Sequence, residues 1–460
     1  MGNTNFELME KTPVSKAILK LSIPTVLSTI ISILYNITDT YFIGLLDDPV
    51  QLGAISLAFP VFMILQAVGN MFGNGAPSYI SRCLGAGKYE EVKKTSSVSV
   101  YVSLITTIIL TILFFIFKTP ILHMLGTSEA NIGPTGEYLS IVVGLSFIMI
   151  LQVVLPSMLR AEGKVKEAVI GMIIGTVLNI VLDPIFILVL GQGVAGAAWA
   201  TMIGNFVAVI YYIAVYVKGN TLLSIKLRDF KPTARVLSEV LKIGLPTSIS
   251  QMATSLALVM FNNLAAQYGD NVISAYGVAS KMITMVFMIV MGYVSGYMPF
   301  AGYNYGAGNN KRMLSAFKFT AVTGTVACVV FIIPFTFLAK SFMGAFTSSE
   351  EIIHIGVQFL SAQAWAVPFM AIQMTMMSTF QATGEALRAM IVNLGRQCLF
   401  YIPLLYIFNY FWQLTGLLHV QMAADLLTTA IALLIGIPLL VKLFRQHTER
   451  EMHEKISAGI

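Results

Sequence analysis

The sequence has 460 residues, of which 57% are hydrophobic and 11% are charged, and its formal net charge is +6. Soluble domains carry about 25% charged residues, so this composition excludes an ordinary soluble protein and indicates an integral membrane protein. Apolar stretches of about 20 to 30 residues recur along the chain, as expected for membrane-spanning helices and not for the alternating strands of a membrane barrel. The excess of basic residues fits loops beside membrane spans, so no nucleic-acid partner is expected.

The apolar stretches predict an all-α protein with twelve transmembrane helices. Several segments exceed the length needed to cross a bilayer, so tilt or kinks are expected. A short polar segment runs directly into the first span, so no cleavable signal peptide is predicted. The predicted spans are 15–45, 52–81, 95–118, 137–160, 165–190, 194–217, 236–267, 273–303, 313–338, 352–382, 387–411 and 416–443.

Basic residues are distributed unevenly among the predicted loops. Most of the 28 lysine and arginine residues lie at the N-terminus, in the loops after the even-numbered spans, and in the C-terminal tail. The other loops contain few basic residues and carry Asp47, Asp48 and Asp270. Loops rich in lysine and arginine stay in the cytoplasm. We therefore expect a multi-pass membrane protein with both termini cytoplasmic.

The second half of the sequence repeats the first at an offset of 221 to 222 positions. The segment KLSIPT (20–25) matches KIGLPT (242–247), and LRAEGKVKEA (159–168) matches FQATGEALRA (380–389). Each repeat holds six spans, so the two six-helix lobes should share one orientation and be related by a pseudo-two-fold axis along the membrane normal, with the substrate path between them. The predicted limits are an N-terminal lobe at 1–217, a cytoplasmic linker at 218–234, a C-terminal lobe at 235–444 and a cytoplasmic tail at 445–460.

Two aspartates lie inside predicted spans of the first lobe, at similar depths. Asp39 is in span 1 and Asp183 is in span 5, and a carboxylate at membrane depth costs about 2.5–3.5 kcal/mol on insertion scales. The matching positions of the second lobe are approximately Phe261 and Leu404, so a purely architectural need does not explain the pair. When two buried carboxylates lie close together, either one of them has a raised pKa or the pair holds a cation. The pair is therefore predicted to couple transport to an ion.

Neutral oxygen donors accompany both aspartates. Asn36 and Asn179 each lie one helical turn before an aspartate, on the same helix face. Thr201 in span 6 adds a hydroxyl group. Hard oxygen ligands of this kind suit Na⁺ or a proton and do not suit zinc or copper. The first lobe is therefore predicted to hold an oxygen-rich ion-coupling site, and no cofactor besides the coupling ion is expected.

The role of Asp425 in span 12 is open between two interpretations. It is either a second substrate-binding or coupling acid, or the partner of His419, Lys281 or Arg396 in a structural pair. Methionine and aromatic walls suit flat cationic ligands, and the chain has 25 Met, 29 Phe and 18 Tyr. The residues of this kind proposed to contact substrate are Tyr35, Tyr138, Met288 and Met291.

Five segments of the first half are similar to a known family. They are DTYFIG (39–44), LGAISLAFP (52–60), GNGAPSYISRCLGAGK (73–88), LNIVLDPIFI (178–187) and GVAGAAWAT (193–201). Together with the internal duplication, they make essentially the whole chain resemble the multidrug and toxic compound extrusion (MATE) family, in its MepA-like bacterial branch. The resemblance implies an exporter of the bacterial plasma membrane that exchanges cationic aromatic compounds for Na⁺ or H⁺ by alternating access around a V-shaped cavity.

The resemblance also implies positions for the coupling ion, which would be ligands of Na⁺ if sodium is the ion. In prokaryotic relatives a site in the N-terminal lobe is similar to Asp39, Asn179, Asp183 and Thr201 of this sequence. That site also includes a backbone carbonyl, which corresponds here to a position near Ala197. A second family pattern places acids in spans 7 and 10. This chain has Gln251 and Gln373 in those spans, so coupling by that second route is not expected.

Two other functions fit the sequence less well. A flippase for a lipid-linked precursor shares this kind of fold, but an anionic headgroup calls for several cavity arginines and lysines, and only Lys281 and Arg396 are candidates. A membrane receptor or a membrane-embedded enzyme does not explain the duplication, and the sequence contains no evident nucleophile–base or metal-ligand set. The expected partners are therefore cationic amphipathic small molecules and the lipid bilayer, with no obligate protein partner.

Overall fold

The computed structural model describes residues 3–44 and 48–457, and regular structure in these ranges is helical throughout. Helices satisfy every backbone polar group within one segment, as a bilayer requires. The α-helices are α1 (Asn3–Glu10), α2 (Val14–Gly44), α3 (Pro49–Gly85), α4 (Tyr89–Ile116), α5 (Lys118–Met124), α6 (Ile132–Gly144), α7 (Ser146–Ala161), α8 (Val165–Pro184), α9 (Gly193–Val217), α10 (Ala234–Ala265), α11 (Asp270–Gly306), α12 (Asn310–Phe337), α13 (Ala339–Gly344), α14 (Glu350–Ala364), α15 (Val367–Thr383), α16 (Ala386–Leu394) and α17 (Tyr401–Ser457). Short 3-10 turns occur at Leu227–Asp229 and Ala266–Tyr268, and π-helical turns occur at Ile185–Val189 and Gly395–Leu399.

Many of these helices are long and apolar enough to cross a membrane. Within the described chain there are nine such segments, or up to eleven if each of two bent helix pairs is counted as one span. The segments coincide closely with the predicted spans. The prediction of an all-helical, multi-pass membrane protein is therefore confirmed.

The two bent helix pairs occupy matching positions in the two halves of the chain. Helices α6 and α7 meet at an angle of 46°, and helices α14 and α15 meet at 51°. The first break is at Leu145 and the second is at Trp365 and Ala366. Their separation along the chain agrees with the offset of the repeated sequence motifs, so the duplication extends to an irregular feature of the backbone.

Helix α17 contains a sharp interruption at Gln413. This residue has φ 48° and ψ −131°, which are not helical angles, and L-residues other than glycine rarely adopt a positive φ. A Cβ atom added at Gly416 would overlap the carbonyl of Phe408. The helical stretch Ala386–Glu449, which is 64 residues long, is therefore divided at this point.

The chain also divides into two compact units, each made of two segments. The first unit comprises 1–7 and 27–248, and the second unit comprises 8–26 and 249–460. The domain limits predicted from the sequence, which place the boundary in a linker at 218–234, stay a prediction.

Two helices contribute to both units. Helix α2 changes unit after Val26, and helix α10 changes unit after Ser248. Each change follows a proline by two residues, since Pro24 lies inside α2 and Pro246 lies inside α10. These prolines belong to the matched motifs KLSIPT and KIGLPT, so the duplication preserves this arrangement as well.

The polar segment between α9 and α10 is fixed to the first unit by hydrogen bonds. The Ser224 amide donates to Ser96 Oγ at 2.9 Å, and the same hydroxyl donates to the Ser224 carbonyl at 3.0 Å. The Tyr101 hydroxyl donates to the carbonyl of Ile225 at 2.9 Å. Although its sequence resembles a linker, this segment is therefore an ordered part of the first unit.

Close packing of α8 and α9 positions the site described below. A Cβ atom added at Gly204 would lie 2.6 Å from the carbonyl oxygen of Gly175 and 3.1 Å from Cβ of Asn179. One at Gly171 would overlap the ring of Tyr212. Small residues let membrane helices approach closely, and here they bring the polar side chains of the two helices into contact.

Candidate ion-coupling site

The candidate site lies in the first unit, where α8 faces α9. Asp183 is completely buried and Asn179 is 3% exposed. The Asn179 Nδ2 group donates one hydrogen bond to Asp183 Oδ1 at 3.1 Å and another to Thr201 Oγ1 at 3.3 Å. The structure therefore joins three of the residues predicted to form the ion-coupling site.

The carboxamide oxygen of Asn179 is a further polar atom of this group. It is buried and accepts no hydrogen bond from the described residues. Both N–H bonds of the same amide are already used, so the amide is fixed in orientation and presents its oxygen as an acceptor. A buried acceptor without a donor is costly, and a cation would satisfy it.

The backbone becomes irregular directly after Asp183. Pro184 has no N–H group and ends α8, and the π-helical turn Ile185–Val189 follows, closed by a bond from the Leu190 amide to the Ile185 carbonyl at 2.8 Å. Turns of this type are frequent at functional sites in helices. Asp183 therefore lies at a point where the helix departs from regular geometry within the membrane-spanning segment.

The start of α9 is held by a side chain from α3. Gln51 Oε1 accepts a hydrogen bond from the Val194 amide at 3.0 Å, and Gln51 Nε2 donates to Asp48 Oδ2 at 3.1 Å. Asp48 also caps α3 by accepting from the Val50 amide at 2.9 Å. Gly193 has φ +55°, and a Cβ atom there would overlap the Gln51 carboxamide.

Gln51 thus fixes the end of α9 that carries Thr201. Sequence inspection missed this contact because its partners are 143 positions apart. The local sequence offered only the helix-start pattern of Asp48 followed by Pro49.

Ala197, whose carbonyl the family resemblance implicates, is buried in α9. It packs with Ile187 of the π-helical turn, and Phe42 and Ile55 pack against both. The apolar packing holds the turn after Asp183 against the first part of α9. The role of its carbonyl oxygen stays a prediction.

Two predicted ligands cannot be located by their side chains. Asn36 and Asp39 lie on helix α2, but their side chains are outside the described part of the structure. Their convergence with Asp183 therefore stays a prediction.

The matching positions of the second unit form a hydrophobic core. Phe261 is fully buried and stacks on Tyr276 with ring centroids 3.8 Å apart. Phe359 meets the Tyr276 ring edge-on at 5.0 Å, and Leu404 packs against the same cluster. These positions hold apolar side chains, in agreement with the sequence comparison of the two halves.

Asp425 pairs with one of the three partners predicted for it. Its Oδ1 atom accepts from Arg396 Nε at 2.6 Å and from Gln421 Nε2 at 3.1 Å. The ring nitrogen Nδ1 of His419 lies 2.8 Å from the Thr415 carbonyl instead, and Lys281 is exposed. Of the three candidate partners, the structure pairs Asp425 with Arg396, and both a structural and a substrate-binding role for Asp425 stay predictions.

The residues proposed to contact substrate differ in how far they are buried. Tyr35 is half-buried, and Tyr138 packs against the core cluster of the first unit that includes Leu139. Met288 is half-buried and Met291 is 45% exposed. Their contact with substrate stays a prediction.

The two glutamines noted in spans 7 and 10 differ in burial. Gln251 is exposed on α10, whereas Gln373 is buried in α15. Because both side chains are uncharged amides, neither can supply the acidic group that coupling at these positions would need.

Comparison with known proteins agrees with this architecture. The family model MatE matches the chain twice, at residues 24–185 and 246–407. The multidrug export protein MepA of Staphylococcus aureus (strain MSSA476) is 33% identical over 435 residues, which covers 95% of this chain and 96% of that protein. MepA of Staphylococcus haemolyticus (strain JCSC1435) is 31% identical over 426 residues, covering 93% and 94% respectively.

Solved structures are similar over the same extent. An outward-facing multidrug resistance MATE family transporter of the MOP superfamily superposes with a TM-score of 0.90 at 26% identity, covering 96% of this chain and 99% of that chain. A MATE structure in complex with Br-NRF gives a TM-score of 0.80, also at 26% identity and with the same coverage. The two matches to the family model fall on the two halves of the duplicated sequence, and the chain belongs to the MatE family of membrane transporters.

Proposed function

We propose that this protein is a secondary active multidrug exporter, which moves cationic aromatic compounds out of a bacterial cell in exchange for Na⁺ or H⁺. The names of its relatives support multidrug efflux. The observation that carries the ion-coupled mechanism is the buried group of Asp183, Asn179 and Thr201. A fully buried carboxylate in a membrane-spanning helix is costly, and such groups typically mark the pathway of an ion or a substrate.

The chemistry of this group suits a small hard cation or a proton. It offers a carboxylate, a carboxamide oxygen that accepts no hydrogen bond from the described residues, and a hydroxyl oxygen. We propose that Asp39 of helix α2 adds a second carboxylate and that a backbone carbonyl near Ala197 completes the set. Oxygen ligands of this kind favour Na⁺ over softer metals.

Coupling follows from competition for one negative charge. A cation that enters from outside neutralises Asp183, and the site then no longer retains the positively charged drug. The inward membrane field adds about 2.3 kcal/mol for each charge that crosses 100 mV. Helix α2 is proposed to transmit the change by bending near Pro24, where the helix passes from one unit to the other.

We propose twelve transmembrane helices in two six-helix lobes, with both termini in the cytoplasm. A continuous helix of 64 residues would be about 96 Å long at about 1.5 Å per residue, which is about three times the hydrocarbon thickness of a bilayer. We therefore propose that Ala386–Glu449 forms two spans, divided at Gln413. Added to the other single spans and the two bent pairs, this gives twelve.

Transport in proteoliposomes tests the proposal directly. Ethidium efflux is measured with an imposed Na⁺ or H⁺ gradient for the wild type and for Asp183→Asn. The wild type should pump with one gradient, which names the ion, and Asp183→Asn should lose gradient-driven efflux. If Asp183→Asn pumps normally, the site assignment is wrong, and if neither gradient drives efflux of the dye by the wild type, the drug-exporter proposal fails.

A further inference from the structure

The second unit contains a buried ion pair that the coupling mechanism does not use. Asp425 is only 2% exposed to solvent, whereas the side chain of Arg396 is 19% exposed. They join through Arg396 Nε and Asp425 Oδ1 at 2.6 Å. An arginine in a membrane span is expensive and is seldom kept without a polar task.

The guanidinium group of Arg396 is only partly used by this pair. A guanidinium has five N–H donors, and Asp425 takes the one on Nε. The two terminal nitrogens, Nη1 and Nη2, donate no hydrogen bond to the described residues. Neither nitrogen is completely buried. The end of the guanidinium therefore stays accessible, with its two nitrogens side by side.

The orientation of the group is fixed from two directions. Asp425 holds Nε on one edge, and the Cζ atom of Arg396 lies 4.5 Å from the centroid of the Phe287 ring. Gln421 donates to the same carboxylate oxygen and so supports the position of Asp425. Arg396 itself lies in the π-helical turn Gly395–Leu399, where the helix geometry is irregular.

These observations identify a preorganised anion receptor beside an aromatic surface. Side-by-side terminal nitrogens of arginine match the two oxygens of a carboxylate, which they bind in a bidentate, charge-assisted manner. The adjacent Phe287 ring gives a flat ligand a surface to pack on. Membrane-embedded arginines face protein or water and not lipid, so the accessible edge is expected to face the aqueous path.

We propose that Arg396 is a specificity-determining residue that binds the carboxylate of aromatic zwitterionic substrates. This inference rests on the exporter function proposed above. The pair with Asp425 neutralises the arginine when no such substrate is present, so a purely cationic compound is not repelled. A compound that carries both an amine and a carboxylate gains a contact at Arg396 that its ester cannot make.

The test compares one aromatic acid with its ester. Transport of ciprofloxacin, ciprofloxacin ethyl ester and ethidium is measured in proteoliposomes as KM and kcat. The Arg396→Gln/Asp425→Asn double variant removes both charges and leaves no lone buried charge, whose presence would endanger folding. It should raise KM for ciprofloxacin about tenfold or more, the loss expected for charge-assisted hydrogen bonds, while the ester and ethidium change less than about twofold.

The single variant Asp425→Asn provides a result of opposite sign. It leaves Arg396 with a nearly isosteric hydrogen-bond acceptor. Because the Arg396 side chain is 19% exposed and that of Asp425 only 3%, the charge that remains is not fully buried, as a lone Asp425 would be. Without the neutralising charge, KM for ciprofloxacin should fall by at least about twofold. If the pair were merely structural, transport of all three compounds would be impaired in both variants. The matched control is Arg388→Gln, which removes an arginine of the same span whose partner is Glu385 at 3.6 Å. It should leave the ratio of the acid to the ester unchanged.

The outcomes separate this inference from the function on which it rests. Equal losses for the acid and the ester, or an unchanged KM for ciprofloxacin in the double variant, would overturn the role of Arg396. Export of ethidium and the ester by the wild type without export of the acid would also overturn it and leave the exporter function standing. Failure of the wild type to move any of the three compounds would instead overturn the proposed function.

Discussion

Asn179 and Asp183 are joined by a hydrogen bond of 3.1 Å from the carboxamide Nδ2 to the carboxylate Oδ1, one turn apart on the same buried face of α8. The same Nδ2 group also donates to Thr201 on α9. Asn179 therefore does not merely neighbour the carboxylate. It orients the carboxylate relative to α9, and its own buried oxygen accepts no hydrogen bond from the described residues.

The first prediction concerns this orienting role. Asn179→Ala should raise the ion concentration that gives half-maximal ethidium efflux by about tenfold or more, the usual cost of losing a group that orients a metal-binding carboxylate. Asn393→Ala is the matched control, because Asn393 is also a buried asparagine of a membrane-spanning segment but lies in the second unit. An equal effect of both substitutions on ion dependence would contradict the assignment.

The second prediction separates the hydroxyl of Thr201 from its shape. Thr201→Val keeps the side-chain volume and removes the acceptor of the Asn179 bond, so the ion concentration for half-maximal efflux should rise about two- to tenfold. Thr201→Ser keeps the hydroxyl and should stay near the wild type. Ion-dependent efflux in proteoliposomes measures both variants. If Thr201→Ser raised this ion concentration more than Thr201→Val, packing and not the hydroxyl would determine the effect.

The sequence predicted much of the fold because its main determinants are local. Long apolar segments specify membrane helices, and four-residue spacing puts Asn179 and Asp183 on one face without knowledge of any neighbour. Thr201 was also predicted as a member of the oxygen-rich site, and the structure joins it to Asn179. The break at Leu145 was not anticipated, since no proline or glycine pair stands at that position.

Contacts that depend on tertiary structure could not be derived in the same way. The bond between Gln51 and Val194 joins segments 143 positions apart, and no periodicity marks it. For Asp425 the sequence left three partners open, and only the packing of the π-helical turn Gly395–Leu399 against α17 selects Arg396. The stacking of Arg396 on Phe287 likewise requires a third helix, α11.

The third prediction uses two neighbouring glycines to isolate the Gln51 contact. Gly191 and Gly193 have φ +64° and +55°, but only at Gly193 would a Cβ atom meet another group, the Gln51 carboxamide. Both alanine substitutions should destabilise the fold by about 1–2 kcal/mol through backbone strain. Gly193→Ala should cost about 1 kcal/mol more, because the displaced Gln51 loses its bond to the Val194 amide.

Thermal unfolding in detergent measures these differences. Gln51→Ala in the Gly193→Ala background should add little further loss, because the two substitutions disrupt the same contact. In the Gly191→Ala background, Gln51→Ala should lower the stability by as much as it does in the wild-type protein. Full additivity in both backgrounds would mean that Gln51 does not hold the start of α9.

The last prediction concerns Glu162, which lies outside the membrane-spanning segments in the turn between α7 and α8. Burial raises the pKa of this carboxyl above its ordinary value, although it accepts hydrogen bonds from the Thr221 hydroxyl and, at 2.8 Å, from the Leu222 amide. The folded protein therefore retains a proton that the unfolded chain has lost. The unfolded state binds fewer protons in this window, so the free energy of unfolding falls as pH rises from about 4.3, the usual pKa of glutamate, through the folded pKa.

Glu162→Gln should remove this pH dependence, because glutamine still accepts from the Leu222 amide and carries no charge at any pH. The unfolding midpoint is measured against pH for the wild type, for Glu162→Gln and for Glu350→Gln, whose parent residue is exposed at the start of α14. The Glu350 variant should keep the wild-type profile. A wild-type midpoint that rises with pH over this window, or a Glu162→Gln profile parallel to it, would mean that burial does not control the ionisation of this carboxyl. The expected result would show that Glu162, which accepts hydrogen bonds from Thr221 and Leu222 of the segment between α9 and α10, loses its proton at a higher pH in the folded protein than in the unfolded chain.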